Sequence, residues 1–279
     1  MKKGLVLEGG ALRGIFTSGV VDYFLLENIE FDYAVGVSAG AGNITSFKSK
    51  QTGRTANVMA GAFDRSSFGI MELIHSKKFV NLDKLLDING NNPLDFDTYF
   101  KNPLEVEYTV CCCESGEAEY MSEDSDEERV IDIVRASCSM PMLCAPVKIG
   151  SKHYLDGSIG NSIPLDRAIE KGCDKAIVVL TKPEGVGPED YSKYKRILRR
   201  LYGAYPEFIK SACERISRYN EKYEYLKQLE AQGRALIIRP HSSVSKLEKD
   251  KDVLRGFYRQ GYNAAKTREK EIKAFLEIT

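Results

Sequence analysis

The fold is decided near the amino end, by Gly4-Leu5-Val6-Leu7-Glu8-Gly9-Gly10-Ala11-Leu12-Arg13-Gly14. The apolar run stops at Glu8, a glycine-rich loop follows, and Ile15, Gly19, Tyr23 and Leu26 then recur at helical spacing. That order predicts a strand, a glycine loop and a helix. A second unit of the same form comes next. Phe31 to Val35 is apolar, Gly36-Val37-Ser38-Ala39-Gly40 closes it, and a helix-like stretch continues beyond. Strand-like and helix-like segments in alternation are the pattern of an α/β layer fold.

Further along, the stretch from about Gly53 to Asn102 is polar and mixed, and is expected to form helices and loops covering one edge. Val106, Tyr108, Val110 and Cys112 alternate with Glu105, Glu107 and Thr109, which predicts a half-buried strand turning at Ser115-Gly116. Ser125 and Glu128 have capping-box spacing ahead of Val130, Ile133 and Val134, so the acidic run Glu123 to Glu128 reads as a solvated loop and a helix start. Gly150-Ser151 is a two-residue hairpin signal between two short apolar runs. It sets Asp156 at the end of the returning strand, just ahead of Gly157. Pro164 suits a first helical position, Gly172 a helix end, and Ala176 to Leu180 another buried strand.

From about Pro188 the chain changes to Lys/Arg/Tyr-rich helical segments interrupted by one strand-like run, Ala235 to Ile238. The expected division is a catalytic core over 1–187 and a mainly helical extension over 188–279, with the strand near 235–239 completing the core. Basic amphipathic helices such as Tyr194 to Leu201 can lie on membranes. Glu207, Glu214, Glu221 and Glu224 follow closely and offset that charge, so an ordinary packing helix is expected there.

Composition narrows the function classes. The 279 residues carry 40 Lys+Arg against 40 Asp+Glu and only three His. Zero net charge argues against nucleic acid as a partner, since such binders carry a basic excess. No run approaches the ~18 apolar residues of a membrane span, and the apolar run at the amino end is too short for the ~7–15-residue core of an export signal. Seven cysteines form no C-x-x-C pair, and Cys111, Cys112 and Cys113 are consecutive, so neighbours point to opposite faces. They are expected to be reduced, buried and cytosolic, with no metal site.

Three segments carry chemistry. A serine in Gly36-x-Ser38-x-Gly40 between a strand and a helix presents its hydroxyl on a tight turn beside a helix N-terminus, as a nucleophile would need, the lesser alternative being that Ser38 merely caps the helix. The Gly9–Gly14 loop can aim its N–H groups at an anion. That anion is either the oxyanion of an ester under attack or the pyrophosphate of a dinucleotide, for which Glu30 and Asp32 lie near the required spacing. Ala11 weakens the second choice, because it stands where the dinucleotide fingerprint needs glycine. Asp156 is a candidate base at a strand end. His241 has the chain order of a triad partner, while His75 precedes Asp156 and His153 shares its strand. Only 37 residues precede Ser38, unlike an α/β-hydrolase, so a Ser–Asp dyad competes with a Ser–Asp–His triad.

Together these segments resemble the patatin-like phospholipase family, bacterial branch. Gly9-Gly10-Ala11-Leu12-Arg13-Gly14 is similar to the family's glycine loop with its basic residue, and Gly36-Val37-Ser38-Ala39-Gly40 to its serine motif. Asp156-Gly157-Ser158-Ile159-Gly160-Asn161-Ser162-Ile163-Pro164 is similar to its Asp-Gly-Gly/Ala segment leading to Asn-x-Pro. Ala136-Ser137-Cys138-Ser139-Met140-Pro141 looks like its Ala-Ser-x-x-x-Pro block, and the order agrees across about residues 4–181.

The resemblance implies a three-layer α/β/α sandwich with a central mostly parallel sheet and extra C-terminal helices. It implies a serine lipid acyl hydrolase with Ser38 as nucleophile, Asp156 as general base, an acyl-enzyme intermediate, and neither metal nor organic cofactor. Gly9, Gly10, Ala11 and Arg13 would line the oxyanion loop, supported by Gly36, Gly40, Gly157 and Asn161. Lipid or ester substrates, peripheral membrane contact and a cytoplasmic location go with it. Ala11 departs from a family glycine, and its methyl is expected to point away from the hole. Ser158 departs from a glycine or alanine and is expected to alter the pocket wall. The residues from 188 onward match no family motif and would form an acyl-chain cover or an interaction surface. A nucleotide-binding protein using the Gly9–Gly14 loop, or a non-catalytic lipid-binding regulator on the same scaffold, are the alternatives.

Overall fold

The computed structural model describes residues 1–61 and 92–278. In chain order the first half contains β1 (Lys3–Leu7), α1 (Gly14–Leu26), β2 (Tyr33–Val37), α2 (Ala39–Lys48), α3 (Arg54–Gly61) and α4 (Phe96–Lys101). Next come β3 (Glu105–Cys112), β4 (Ala118–Met121), α5 (Glu127–Ser137), β5 (Val147–Ile149), β6 (Lys152–Asp156) and α6 (Leu165–Glu170). The remainder holds β7 (Lys175–Val179), α7 (Lys195–Leu201), α8 (Pro206–Ala231), β8 (Ala235–Ile238), α9 (Lys251–Thr267) and α10 (Glu269–Phe275). Most of the stretch expected to cover one edge, and His75 with it, lies outside the described residues.

The strands form one eight-stranded sheet in the order β5-β6-β3-β2-β1-β7-β8, with β4 also paired to β3. The β3-β2-β1-β7-β8 portion is parallel throughout, and β4, β5 and β6 join antiparallel. Alternation of side chains makes both faces apolar. Leu5, Leu7, Ala34, Ile177 and Val179 pack into one layer, and Val6, Val35, Ala176, Val178 and Leu180 into the other. Each of these side chains is buried, a gain of about 1.5–3 kcal/mol for each Val, Leu or Ile. The result is a three-layer α/β/α sandwich with a central mostly parallel sheet.

The carboxyl-terminal third is built into all three layers. β8 extends the sheet beside β7, and Tyr219, Leu226 and Leu229 of α8 pack on one face. On the other face α9 lies against α1, with the Phe16 and Phe257 rings 5.6 Å apart, Tyr23 edge-on to Tyr262 at 5.2 Å, and the Tyr258 hydroxyl donating to Asp22 at 2.8 Å. α1 is therefore buried on nearly every side, which is why its apolar residues show so little one-sidedness.

Local signals differ from the sequence reading by one residue in two places. Asp126, not Ser125, caps α5, accepting from Arg129 N–H at 3.1 Å, while the Ser125 hydroxyl donates to Glu123. Consecutive Asp and Ser are both good caps, so spacing alone cannot choose between them. Pro164 is the capping residue of α6 and not its first helical position.

Candidate active site

The register on β3 brings two distant segments together. Val37, the last residue of β2, pairs with Thr109, and Asp156, the last residue of β6, pairs with the next residue, Val110. β4 occupies the opposite edge of β3 along Tyr108 to Cys111, so β2 and β6 share one edge. One runs parallel and the other antiparallel to β3, and they therefore meet head to head, with Ser38 leaving one end and Asp156 closing the other.

The turn at Ser38 is strained. Its φ is 54° and ψ −119°, a conformation worth about 1–3 kcal/mol of strain for a residue with a Cβ. Packing imposes it. A Cβ at Gly40 would stand 2.3 Å from the Leu7 carbonyl oxygen, so only glycine lets α2 start this close to β1. The Ser137 hydroxyl accepts from Ser38 N–H at 2.9 Å and donates to Thr109 O at 2.7 Å, tying the elbow to β3. The Cys138 thiol donates to Ser38 O at 3.3 Å, and Asp156 N–H donates to Ser139 O at 2.8 Å. The Ala136–Pro141 block thus fastens both the Ser38 turn and the end of β6.

Asp156 is 3 % exposed and Ser38 6 %. Burial pushes the Asp156 carboxyl up, and hydrogen bonds from Ser158 and from the Ser38 hydroxyl, with the Arg215 charge, offset only part of that rise. Gly157 must be glycine here, because a Cβ would lie 2.0 Å from Thr109 O. Ser158 N–H then turns back to Asp156 Oδ1 at 2.9 Å. The Ser158 side chain is absent from the wall of the cavity in front of Ser38, contrary to the expectation that it alters the pocket. Its Oγ accepts from Arg215 Nη2 at 3.0 Å and its carbonyl from Arg215 Nε at 2.9 Å, while Arg218 holds Ile159 O at 2.7 Å. Arg215 and Arg218 lie on α8, and sequence reasoning missed both. Asn161 is structural, joining Tyr120 and Asp166 at 2.9 Å each.

The glycine loop abuts the elbow: a Cβ at Gly9 would be 3.0 Å from that of Ser38. The Gly10 and Ala11 N–H groups donate to no carbonyl of the described residues. Leu12 N–H is taken by Lys246 O at 3.2 Å and Arg13 N–H by Gly10 O at 3.1 Å, so Arg13 offers the loop its guanidinium and not its amide. Ala11 has φ 50° and borders the same cavity as Ser38.

A buried ion pair that sequence reasoning also missed anchors this loop. Lys182 Nζ lies 2.5 Å from Glu8 Oε1, with 4 % and 1 % of the two side chains exposed. Thr181 N–H reaches Glu8 Oε2 at 2.7 Å, and the Thr181 hydroxyl contacts Glu8 Oε2 at 3.0 Å and Gly9 O at 2.9 Å. Burial alone would raise the Glu8 carboxyl, but Lys182 and the Thr181 bonds outweigh it and hold the group below its ordinary value. The Tyr219 ring of α8 lies 4.4 Å from Lys182 Nζ.

The described histidines stay away from this centre. His153 pairs with Glu114 at 3.1 Å, and His241 is exposed, its backbone N–H on Gln260. Asp32 precedes β2 and accepts from Lys3 N–H at 2.6 Å, at the opposite end of the sheet from the glycine loop, so the acid expected of a dinucleotide site is misplaced. In front of Ser38 opens a cavity of about 100 Å³, lined by Val58, Met59, Val134, Met140 and Leu247 among others.

Comparison with known proteins bears on the family of the chain. The family profile described as Patatin-like phospholipase matches residues 5–106 and 116–169, and one described as Domain of unknown function (DUF6363) matches residues 205–277. The chain is 30% identical over 184 residues to the uncharacterized protein YjjU of Escherichia coli (strain K12), covering 64% of this chain and 52% of that protein, about half its length. It is 21% identical over 236 residues to the probable lipid hydrolase 463L of Invertebrate iridescent virus 6, covering 72% of this chain and 74% of the viral protein. Among solved structures it is similar to VipD from Legionella pneumophila, with a TM-score of 0.45 and 12% identity over 95% of this chain and 67% of that one.

Proposed function

Because the chain belongs to the patatin-like phospholipase family, we propose that it hydrolyses carboxylic esters of lipids through a Ser38–Asp156 dyad and an acyl-enzyme. The observation that carries this reading is the head-to-head meeting of β2 and β6 on one edge of β3, which sets Ser38 beside the buried Asp156 carboxyl, with no described imidazole touching either. Asp156 takes the hydroxyl proton as Ser38 Oγ attacks the acyl carbonyl. The free N–H groups of Gly10 and Ala11 receive the oxyanion. Collapse expels the alcohol, which leaves with the proton from Asp156. Water, deprotonated by the same carboxylate, then frees the fatty acid. A carboxylate is a weak base for a serine, so fixed geometry supplies much of the rate, and the bonds on both segments supply that geometry. The apolar cavity suits an acyl chain. A cytoplasmic location completes the reading, supported by seven cysteines none of which is disulfide-bonded.

Hydrolysis of p-nitrophenyl acyl esters of graded chain length tests it. Ser38→Ala is expected to lower turnover by about 10³-fold or more while melting like wild type, because alanine keeps the Cβ and hence the backbone strain. His241→Ala is expected to retain activity. A folded His241→Ala protein without activity would replace the dyad by a triad.

In this reading Arg215 and Arg218 are positioning residues for Asp156. Arg215→Gln is expected to lower kcat/KM at neutral pH by about 10-fold. Loss of the cation raises the Asp156 pKa further, so the acid limb of the pH–rate profile moves to higher pH. Arg215→Lys should restore part of the shift. A variant with lower activity but an unmoved limb would reduce Arg215 to a packing residue.

A further inference from the structure

The segment Tyr191 to Tyr205 concentrates what the rest of the surface dilutes. In a chain of zero net charge it holds Lys193, Lys195, Arg196, Arg199 and Arg200 and no acidic residue. Lys193 reaches Asp190 at 4.0 Å, and among the described residues the other four cations form no ion pair. Tyr191, Leu198 and Tyr202 of this segment are buried in the core, and Tyr205 packs partly against it. On the outward face Tyr194 is 37 % exposed, Ile197 49 % and Leu201 54 %. Ile197 and Leu201, with Tyr194 just before the helix, form an apolar stripe along one flank of α7, and the cations occupy the rest of its exposed surface. The packing helix expected there does pack, through Leu198, but leaves this stripe uncovered. Glu207, Glu214, Glu221 and Glu224, which offset the charge in sequence, all belong to the next helix, α8.

α7 is tied through Tyr202 to the loop that borders the cavity in front of Ser38. The Tyr202 hydroxyl, one residue past α7, accepts from Met142 N–H at 2.8 Å, and Met140, two residues earlier in that loop, lines the cavity in front of Ser38. We propose that this face of α7 docks the protein on anionic lipid bilayers, with Tyr194, Ile197 and Leu201 entering the headgroup boundary and the five cations on the lipid phosphates and carboxylates. An exposed apolar stripe next to an arc of unpaired Lys and Arg matches the chemistry of an anionic interface, which rewards both parts at once. A neutral bilayer would leave the cations without counter-charge. The inference rests on the lipid-ester reading for its purpose but not for its measurement.

Sedimentation of the full chain carrying Ser38→Ala with sucrose-loaded vesicles tests docking apart from catalysis. Binding is expected to vesicles of phosphatidylcholine with phosphatidylserine, to be lost in high salt, and to be absent with phosphatidylcholine alone. Arg196→Gln with Arg199→Gln should weaken it about thirtyfold, from about a tenfold loss per 1.4 kcal/mol and about 1 kcal/mol per cation. Ile197→Ser with Leu201→Ser should weaken it too. With Ser38 intact, both double variants should hydrolyse a soluble short-chain ester like wild type and vesicle phospholipid more slowly. Equal binding to both vesicle types, binding unchanged in both double variants, or association only with nucleic acid or an acidic protein would overturn the inference. Vesicle binding by a protein that cleaves no ester would instead leave docking intact and remove the hydrolase reading. Ester cleavage without vesicle binding would do the reverse.

Discussion

Asp156→Asn is expected to lower kcat/KM on p-nitrophenyl esters by about 10³–10⁴-fold while leaving the protein as stable as wild type or more so. The two effects share one cause. Asp156 is buried, and burial raises its pKa more than Ser158, Ser38 and Arg215 lower it. A carboxyl whose folded-state pKa exceeds its unfolded value binds more protons when folded. Its favourable contribution is present below the unfolded pKa, about 3.9, and is lost as pH rises through the folded-state pKa. At neutral pH the ionised carboxylate therefore burdens the fold. Asparagine keeps an oxygen to accept from Ser158 N–H and carries no charge, so it loses the base and the burden together. Thermal melts at pH 7 and near pH 4 check this: any gain in Tm over wild type should shrink in acid. An inactive variant that melts well below wild type at pH 7 would mean that Asp156 serves the fold first.

Lys182→Met is expected to destabilise the protein by about 3–5 kcal/mol, the usual consequence of leaving one member of a buried ion pair alone. Glu8 is 1 % exposed, and Lys182 is the cation that its carboxyl meets directly, the Thr181 bonds being neutral. Adding Glu8→Gln should recover much of the loss, since the uncompensated charge disappears, and urea titration of the two single variants and the double variant measures the coupling. Activity should recover less than stability in the double variant. The Thr181 hydroxyl that bonds Glu8 also holds Gly9 O, next to the Gly10 and Ala11 N–H groups proposed to receive the oxyanion. Independent addition of the two single effects would show that the pair does not act as a unit.

What the sequence discloses here follows the range of the interactions involved. The strand–loop–helix units around Gly9 and Ser38 show in apolar periodicity and glycine placement, because both are local requirements. The meeting of Ser38 and Asp156 does not, since it depends on β2 and β6 sharing one edge of β3, a matter of register between segments far apart in the chain. The Glu8–Lys182 pair had a signal that could have found it. Glu8 and Lys182 each stand just past an apolar strand, and in a parallel sheet those strands can be neighbours with opposite charges at the same end. Arg215 and Arg218 had none, for two more cations on a Lys/Arg-rich helix look like solvated ones. The open face of α7 escaped for a related reason. Summing charge along the chain credits the glutamates of α8 against it, although a charge offsets another only when the two lie close in space.

The head-to-head meeting of β2 and β6 splits the proposed dyad between two separate strand pairings. Ser38 belongs to a local unit that can assemble early, but its base arrives only when the antiparallel hairpin of β5 and β6 zips onto the free half of β3. Until then a refolding or newly made molecule carries a strained serine with nothing to take its proton. In the proposed reading such a molecule cuts no lipid ester while its own apolar surfaces are still exposed. Return of esterase activity during refolding would time the closing of that last seam more sharply than any spectroscopic average over the helices.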